Sequence, residues 1–130
     1  MFKELPQIGI TGKYERIVEY KYTAEALGSG GVKVFATPAM IGLMEQAALN
    51  LIQPYLEEGY STVGLEVNVK HIKATPMGQN VYAVAKLVKI DDKKLTFEVE
   101  AYDEEGKIGF GSHRRYIINV EEFLKNIYGE

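Results

Sequence analysis

FATPAMIGLMEQAALNLI, residues 35–52, decides the architecture of this chain. From Pro38 to Ile52 it is almost entirely Ala, Met, Ile, Gly and Leu, interrupted only by Glu45, Gln46 and Asn50. A helix apolar on nearly every side is a buried one. Its start is marked by Thr37, whose hydroxyl suits the N-cap, and by Pro38 at the first helical position. Pro54 ends it near Gln53, or leaves one last turn to Glu57 before Gly59 stops the helix. A carboxylate on such a helix is costly unless it is paired or used, which makes Glu45 the first candidate for function.

The flanks read as sheet. Lys13 to Tyr22 alternates, with Tyr14, Arg16, Val18, Tyr20 and Tyr22 on one face. Gly28, Ser29, Gly30 and Gly31 make a flexible loop, and Val32 to Phe35 an extended lead-in to the helix. Four strands follow it, at about 61–73, 80–90, 94–103 and 107–118, joined by the turns Thr75–Gly78, Asp91–Lys94 and Asp103–Gly106. Connections this short join antiparallel neighbours. Asn119 with Glu122 three residues on resembles a capping box and predicts a closing helix to about Tyr128. One apolar helix ahead of a four-strand meander is an α+β pattern, and the simplest way to bury the helix is to curl the sheet around it. That is the hotdog architecture, expected as one domain over 1–130, with no repeat or linker. Its open sheet edges predict that two copies pair into a homodimer, with a tetramer of two such dimers as a further assembly.

Composition narrows the function. The chain has 130 residues, no cysteine, two histidines and a net charge of −3. Disulfides, thiolate nucleophiles and cysteine zinc sites are excluded, and two histidines make any metal site improbable. No basic stripe is present, so nucleic acid is not an expected partner. No signal segment or membrane-length apolar run is apparent, which predicts a cytoplasmic protein without a membrane partner. The glycines at 28, 30 and 31 precede an extended segment instead of a helix, so they are no nucleotide fingerprint. His71 falls in line with Val63, Leu65, Val67 and Val69, on the expected apolar face of an alternating strand. A buried acid and a core-facing histidine together suggest a site. His113 beside Arg114 and Arg115 reads as a solvated or structural residue in a short basic patch.

The segments FATPAMIGLMEQAA, STVGLEVNVKHIKATPMG and GKIGFGSHRRYII also carry a resemblance. They look like the hotdog thioesterases of the fluoroacetyl-CoA thioesterase type, over roughly Tyr14 to Ile118. The specific part is the trio Thr37, Glu45 and His71, with the Thr-Pro helix opening and the H-x-x-A-T-P-x-G turn. The resemblance implies that this trio is catalytic in the hydrolysis of an acyl-CoA thioester to free acid and CoA. No separate cofactor is implied, since CoA belongs to the substrate. Gly64, Arg114 and Arg115 are candidate CoA contacts, arginine forks being suited to phosphate. Strand alternation puts the two arginines on opposite faces, so at most one serves. Leu27 to Gly31 holds no aromatic residue to lid a pocket, and fluoroacetyl specificity is not carried over.

The chemistry is reasonable in its own right. A glutamate in a dry site can act as general base or as nucleophile through a mixed anhydride, and a helix N-terminus can polarise a carbonyl oxygen. Thr37 and Glu45, eight residues apart, differ by about 12 Å along the helix axis, so one helix cannot readily bring both to one carbonyl. Thr37 from one subunit with Glu45 from the other would solve this. In isolation Thr37 is an N-cap, His71 a satisfied core histidine, and Glu45 a structural partner for an arginine such as Arg115 across a dimer. Two other functions share the pattern. One is a non-catalytic acyl-CoA or fatty-acyl binding module, the other a hotdog hydratase or dehydratase, which more often uses an Asp-His pair.

Overall fold

A computed structural model describes residues 1–129. Strand β1 (Thr11–Ile17) leads through a 3-10 turn at Tyr20–Tyr22 to a short helix α1 (Ala24–Leu27), and then to the long helix α2 (Thr37–Ile52). Strands β2 (Tyr60–His71), β3 (Asn80–Asp91), β4 (Lys94–Asp103) and β5 (Gly106–Asn119) follow, and α3 (Val120–Tyr128) closes the described chain. All pairings are antiparallel, and the sheet order is β1-β3-β4-β5-β2. The long helix lies against this single sheet, as the α+β pattern predicts. β1 is shorter than its alternation suggested, because Tyr20–Tyr22 turn away from the sheet. The helix α1 was not foreseen; four residues are too few for a periodic signal, but Thr23 caps it, accepting from the Ala26 amide at 3.2 Å.

The apolar stripe of α2 is Ala39, Met40, Leu43, Met44, Ala47, Ala48 and Ile52, all buried. It meets the inner faces of β3, β4 and β5, where Leu87, Leu95, Phe97 and Ile108 are sealed from solvent. The sheet covers only one side of the helix, so the expectation of burial all round needs correction: Glu45 and Gln46 are half-buried and Asn50 is exposed. The hairpin turns form where expected. Asp92, with φ of 55°, makes the β3–β4 turn, and Asp103 Oδ1 accepts the amides of Glu105 and Gly106 at the next. Asn119 caps α3 through the Glu122 amide at 3.0 Å.

The edge strand β2 departs most from its sequence pattern. A bulge between Gly64 and Glu66 adds one residue, Leu65, to the pairing with β5. Side-chain alternation reverses across such a bulge. Thr62 and Gly64 before it, and Val67, Val69 and His71 after it, share a face with His113 and Arg115 of β5, whereas Val63 faces the other way. His71 is therefore in line with Val67 and Val69, not with Val63. Leu65 and Val67 are 49% and 38% exposed at the free edge, an arrangement that leaves β2 able to take another strand.

Candidate active site

The turn after β2 holds the N-terminus of α2 against the end of that strand. Thr75 is buried; its hydroxyl donates to Asp103 at 2.8 Å and its carbonyl accepts the Phe35 amide at 2.8 Å. Lys73 donates to the same Asp103 carboxylate at 2.6 Å. Burial pushes the Asp103 carboxyl up, but the hydrogen bonds from Lys73, the Glu105 amide and Thr75 outweigh it and leave the group below its usual range. The H-x-x-A-T-P segment is thus a clamp between strand and helix, and it sets Thr37 beside His71.

Thr37 is the first residue of α2, not its cap: Ala36 occupies the N-cap and makes no side-chain bond. The hydroxyl instead lies 2.8 Å from His71 Nδ1. The Thr37 and Ala39 amides take no backbone acceptor among the described residues, and Pro38 has no N–H, so the helix presents unpaired donors here. His71 Nε2 is buried and has no hydrogen-bond partner among the described residues. Burial lowers the His71 pKa from its ordinary 6.5, opposed by the backbone at Lys73. Thr37, His71, Ala24, Val34 and Ile72 line an open pocket of about 350 Å³ beside these groups.

Glu45 is elsewhere. Its Oε2 lies 2.7 Å from where a Cβ on Gly64 would stand, with His113 Cε1 at 3.7 Å and Arg115 Nη1 at 3.9 Å from the same point. The candidates therefore fall into two groups: Thr37 with His71, and Glu45 with Gly64 and Arg115. Between Gly64 and His71 the strand makes six steps, the bulged Leu65 left out, or roughly 20 Å at about 3.3 Å each. Arg115 is only 6% exposed, its Nε and Nη2 donating to the Thr62 hydroxyl and carbonyl at 2.7 and 2.9 Å. A guanidinium held in this way is turned inward, away from a phosphate at the surface. Burial lowers its pKa and the Glu45 charge opposes the shift, so Arg115 lies within electrostatic reach of Glu45 in the same chain rather than across a dimer. Arg114 takes the opposite face and stands 3.5 Å from Glu66. His113 is 1% exposed and not solvated. The signal for its burial and that of Arg115 was their alternation with Ile117 on β5, which the polar residue types masked.

The chain is similar in sequence and fold to known proteins. The family model described as fluoroacetyl-CoA-specific thioesterase matches residues 18–121. The fluoroacetyl-CoA thioesterase of Streptantibioticus cattleyicolor is 41% identical over 91 residues, 70% of this chain; the match spans 66% of that relative's length, just under two thirds. The structure of the fluoroacetyl-CoA thioesterase FlK superposes with a TM-score of 0.91 at 31% identity, covering 98% of each chain. A single-substitution mutant of FlK, solved with fluoroacetate and CoA, gives 0.86 at 33% identity over 91% of this chain and 99% of its own. The sheet wrapped on one helix is the hotdog fold, and the chain belongs to the fluoroacetyl-CoA-specific thioesterase family.

Proposed function

We propose that the chain is a thioester hydrolase acting on acyl-CoA, with Thr37 and His71 of one subunit and Glu45 of its partner forming each site. The observation that carries the shared site is the unpaired, buried Nε2 of His71. A buried polar atom without a partner requires an explanation, and none of the described residues supplies one. The free edge of β2 does. Two copies paired antiparallel about a two-fold at Asn68, with the bulged Leu65 left out of the pairing, would set His71 opposite the partner's Gly64, the residue against which the partner's Glu45 lies. The same pairing would cover the exposed Leu65 and Val67 and satisfy the edge backbone.

In this reading the Thr37 hydroxyl donates to His71 Nδ1, and His71 Nε2–H donates to the partner's Glu45. The thioester carbonyl faces the unpaired amides at the start of α2, which stabilise the oxyanion as it forms. Glu45 either takes the proton of an attacking water or attacks as nucleophile and is later released by water. In both cases a C–O bond forms, the C–S bond breaks, and the proton passes to the CoA thiolate. Leu27 to Gly31 place no aromatic ring over the pocket, so the reading commits to acyl-CoA thioesters as a class.

A panel of short, branched and aromatic acyl-CoAs with a thiol reagent tests the reaction. Thiol release at catalytic turnover is expected. Acyl-CoA retained intact would indicate a binding module, and product without free thiol a hydratase. Mixing Thr37→Ala chains with Glu45→Ala chains tests the shared site. Heterodimers should regain one intact site of two, and no recovered activity would exclude sharing.

A further inference from the structure

His113 has no part in the chemistry above, yet it is among the most buried polar side chains of the molecule. It is 1% exposed on the inner face of β5, its ring stacked on Phe97 with centroids 6.2 Å apart. Nδ1 lies 2.8 Å from the carbonyl oxygen of Glu66, which can only accept, so the proton sits on Nδ1. Nε2 then carries a lone pair, and it receives the Nη1–H of Arg115 at 3.1 Å. The other donors of Arg115 go to Thr62. Thr62 and Glu66 stand on the two sides of the Leu65 bulge. His113 and Arg115 together therefore tie both flanks of the bulge to β5. Gly64, between those flanks, is the residue that Glu45 approaches.

We propose that His113 is a positioning residue for Glu45: it fixes the Leu65 bulge through Glu66 and orients the Arg115 guanidinium, so that Gly64 keeps its space open to the carboxylate and the Arg115 charge faces it. The inference rests on the reading of Glu45 as a site residue. It needs His113 neutral, because a proton on Nε2 would oppose an Arg115 N–H. The surroundings favour that state. Burial lowers its pKa from the ordinary 6.5; the Glu66 carbonyl opposes this, Arg115 adds to the lowering, and Glu45 opposes it.

His113→Asn is the test, since its amide nitrogen can keep the bond to Glu66 while the acceptor for Arg115 is lost. The expected result is a fall in kcat of about 10-fold or more with KM within 2-fold, a misplacement of under ~1 Å being worth up to ~10²-fold. In a Glu45→Gln background the same substitution should cost less than about 2-fold, because groups acting through one another are not additive. Histidine nitrogen NMR of the parent should show His113 as the Nδ1–H tautomer. Parental kcat in His113→Asn, an equal loss in both backgrounds, or an Nε2–H tautomer would each overturn the proposal. Should His113→Asn not fold, His113→Gln takes its place, its longer amide able to reach only one of the two partners at a time; it should lose kcat with KM within 2-fold, and parental kcat there would overturn the proposal instead. A parental rate in Glu45→Gln by itself is a failure of the Glu45 reading, and is read separately.

Discussion

Gly64→Ala separates activity from stability more sharply than any other single change here. A Cβ at this position would lie 2.7 Å from Glu45 Oε2, while ordinary contact begins at 3.4 Å, so the carboxylate must retreat by about 0.7 Å. The next neighbours, His113 Cε1 at 3.7 Å and Arg115 Nη1 at 3.9 Å, already accept a methyl group. Gly64 is not among the positive-φ glycines, so alanine meets no backbone strain. The one clash is with the far end of a flexible side chain, and relieving it costs little. Losing a glycine from the unfolded chain returns ~0.4–1 kcal/mol, so the midpoint of thermal unfolding should hold within a few degrees or rise. Turnover should not hold. A misplacement of about 1 Å at a reacting group costs on the order of 10²-fold, so a shift of about 0.7 Å should lower kcat/KM by roughly 10- to 100-fold. Continuous thiol release from the best acyl-CoA of the panel, beside calorimetry on the same preparation, gives both values. A stable Gly64→Ala protein with parental kcat/KM would refute the idea that Glu45 works where Gly64 admits it.

Glu45→Gln keeps the volume and removes the charge. Its rate should fall at least ~10²-fold in the same thiol assay, with stability held or somewhat lowered as the buried Arg115 loses the charge that opposes its desolvation; a parental rate would end the thioesterase assignment of this site. For His71 two effects oppose: burial lowers its pKa below the ordinary 6.5, and the partner's Glu45 carboxylate accepting from Nε2–H raises it. The acid limb of kcat/KM should therefore move to lower pH in Glu45→Gln, where that carboxylate no longer opposes burial. His71→Ala should slow hydrolysis and abolish that acid limb; a limb unchanged in the variant would exclude His71 as its origin.

Much of the fold was legible because its signals are local and repeated. The apolar stripe of α2 recurs over four turns, each hairpin turn carries its own Asp or Gly, and Asn119 stands where a cap must stand. Features resting on one residue or on distant partners were not legible. Thr37 has the sequence context of an N-cap, and only the arrival of His71 from another element turns its hydroxyl to a different use. The Leu65 bulge is a single extra residue in an otherwise regular strand, and it shifts Val63 off the face that simple alternation gave it. His113 and Arg115 are buried because they alternate with Ile117 on β5 and stand opposite Phe97 and Leu95 of β4, and their polar side chains concealed that phase.

The candidate site was partly legible for a further reason that concerns symmetry. Along one chain Thr37 and Glu45 are separated by about 12 Å of helix, and His71 and Gly64 by roughly 20 Å of strand. Two clusters so far apart look like two unrelated features in a linear reading. An antiparallel pairing of β2 with itself reverses the order of residues across the axis, so the two ends of one strand meet the opposite ends of the other. A separation along the chain then becomes a contact between chains, provided that the axis passes midway between the two clusters. With the bulged Leu65 left out, Asn68 lies midway between Gly64 and His71, and Leu65 with Val67 is the apolar surface left bare beside it. The exposed edge and the unpaired His71 Nε2 thus have one common remedy, and it is the same remedy that the spacing of Thr37 and Glu45 on α2 calls for.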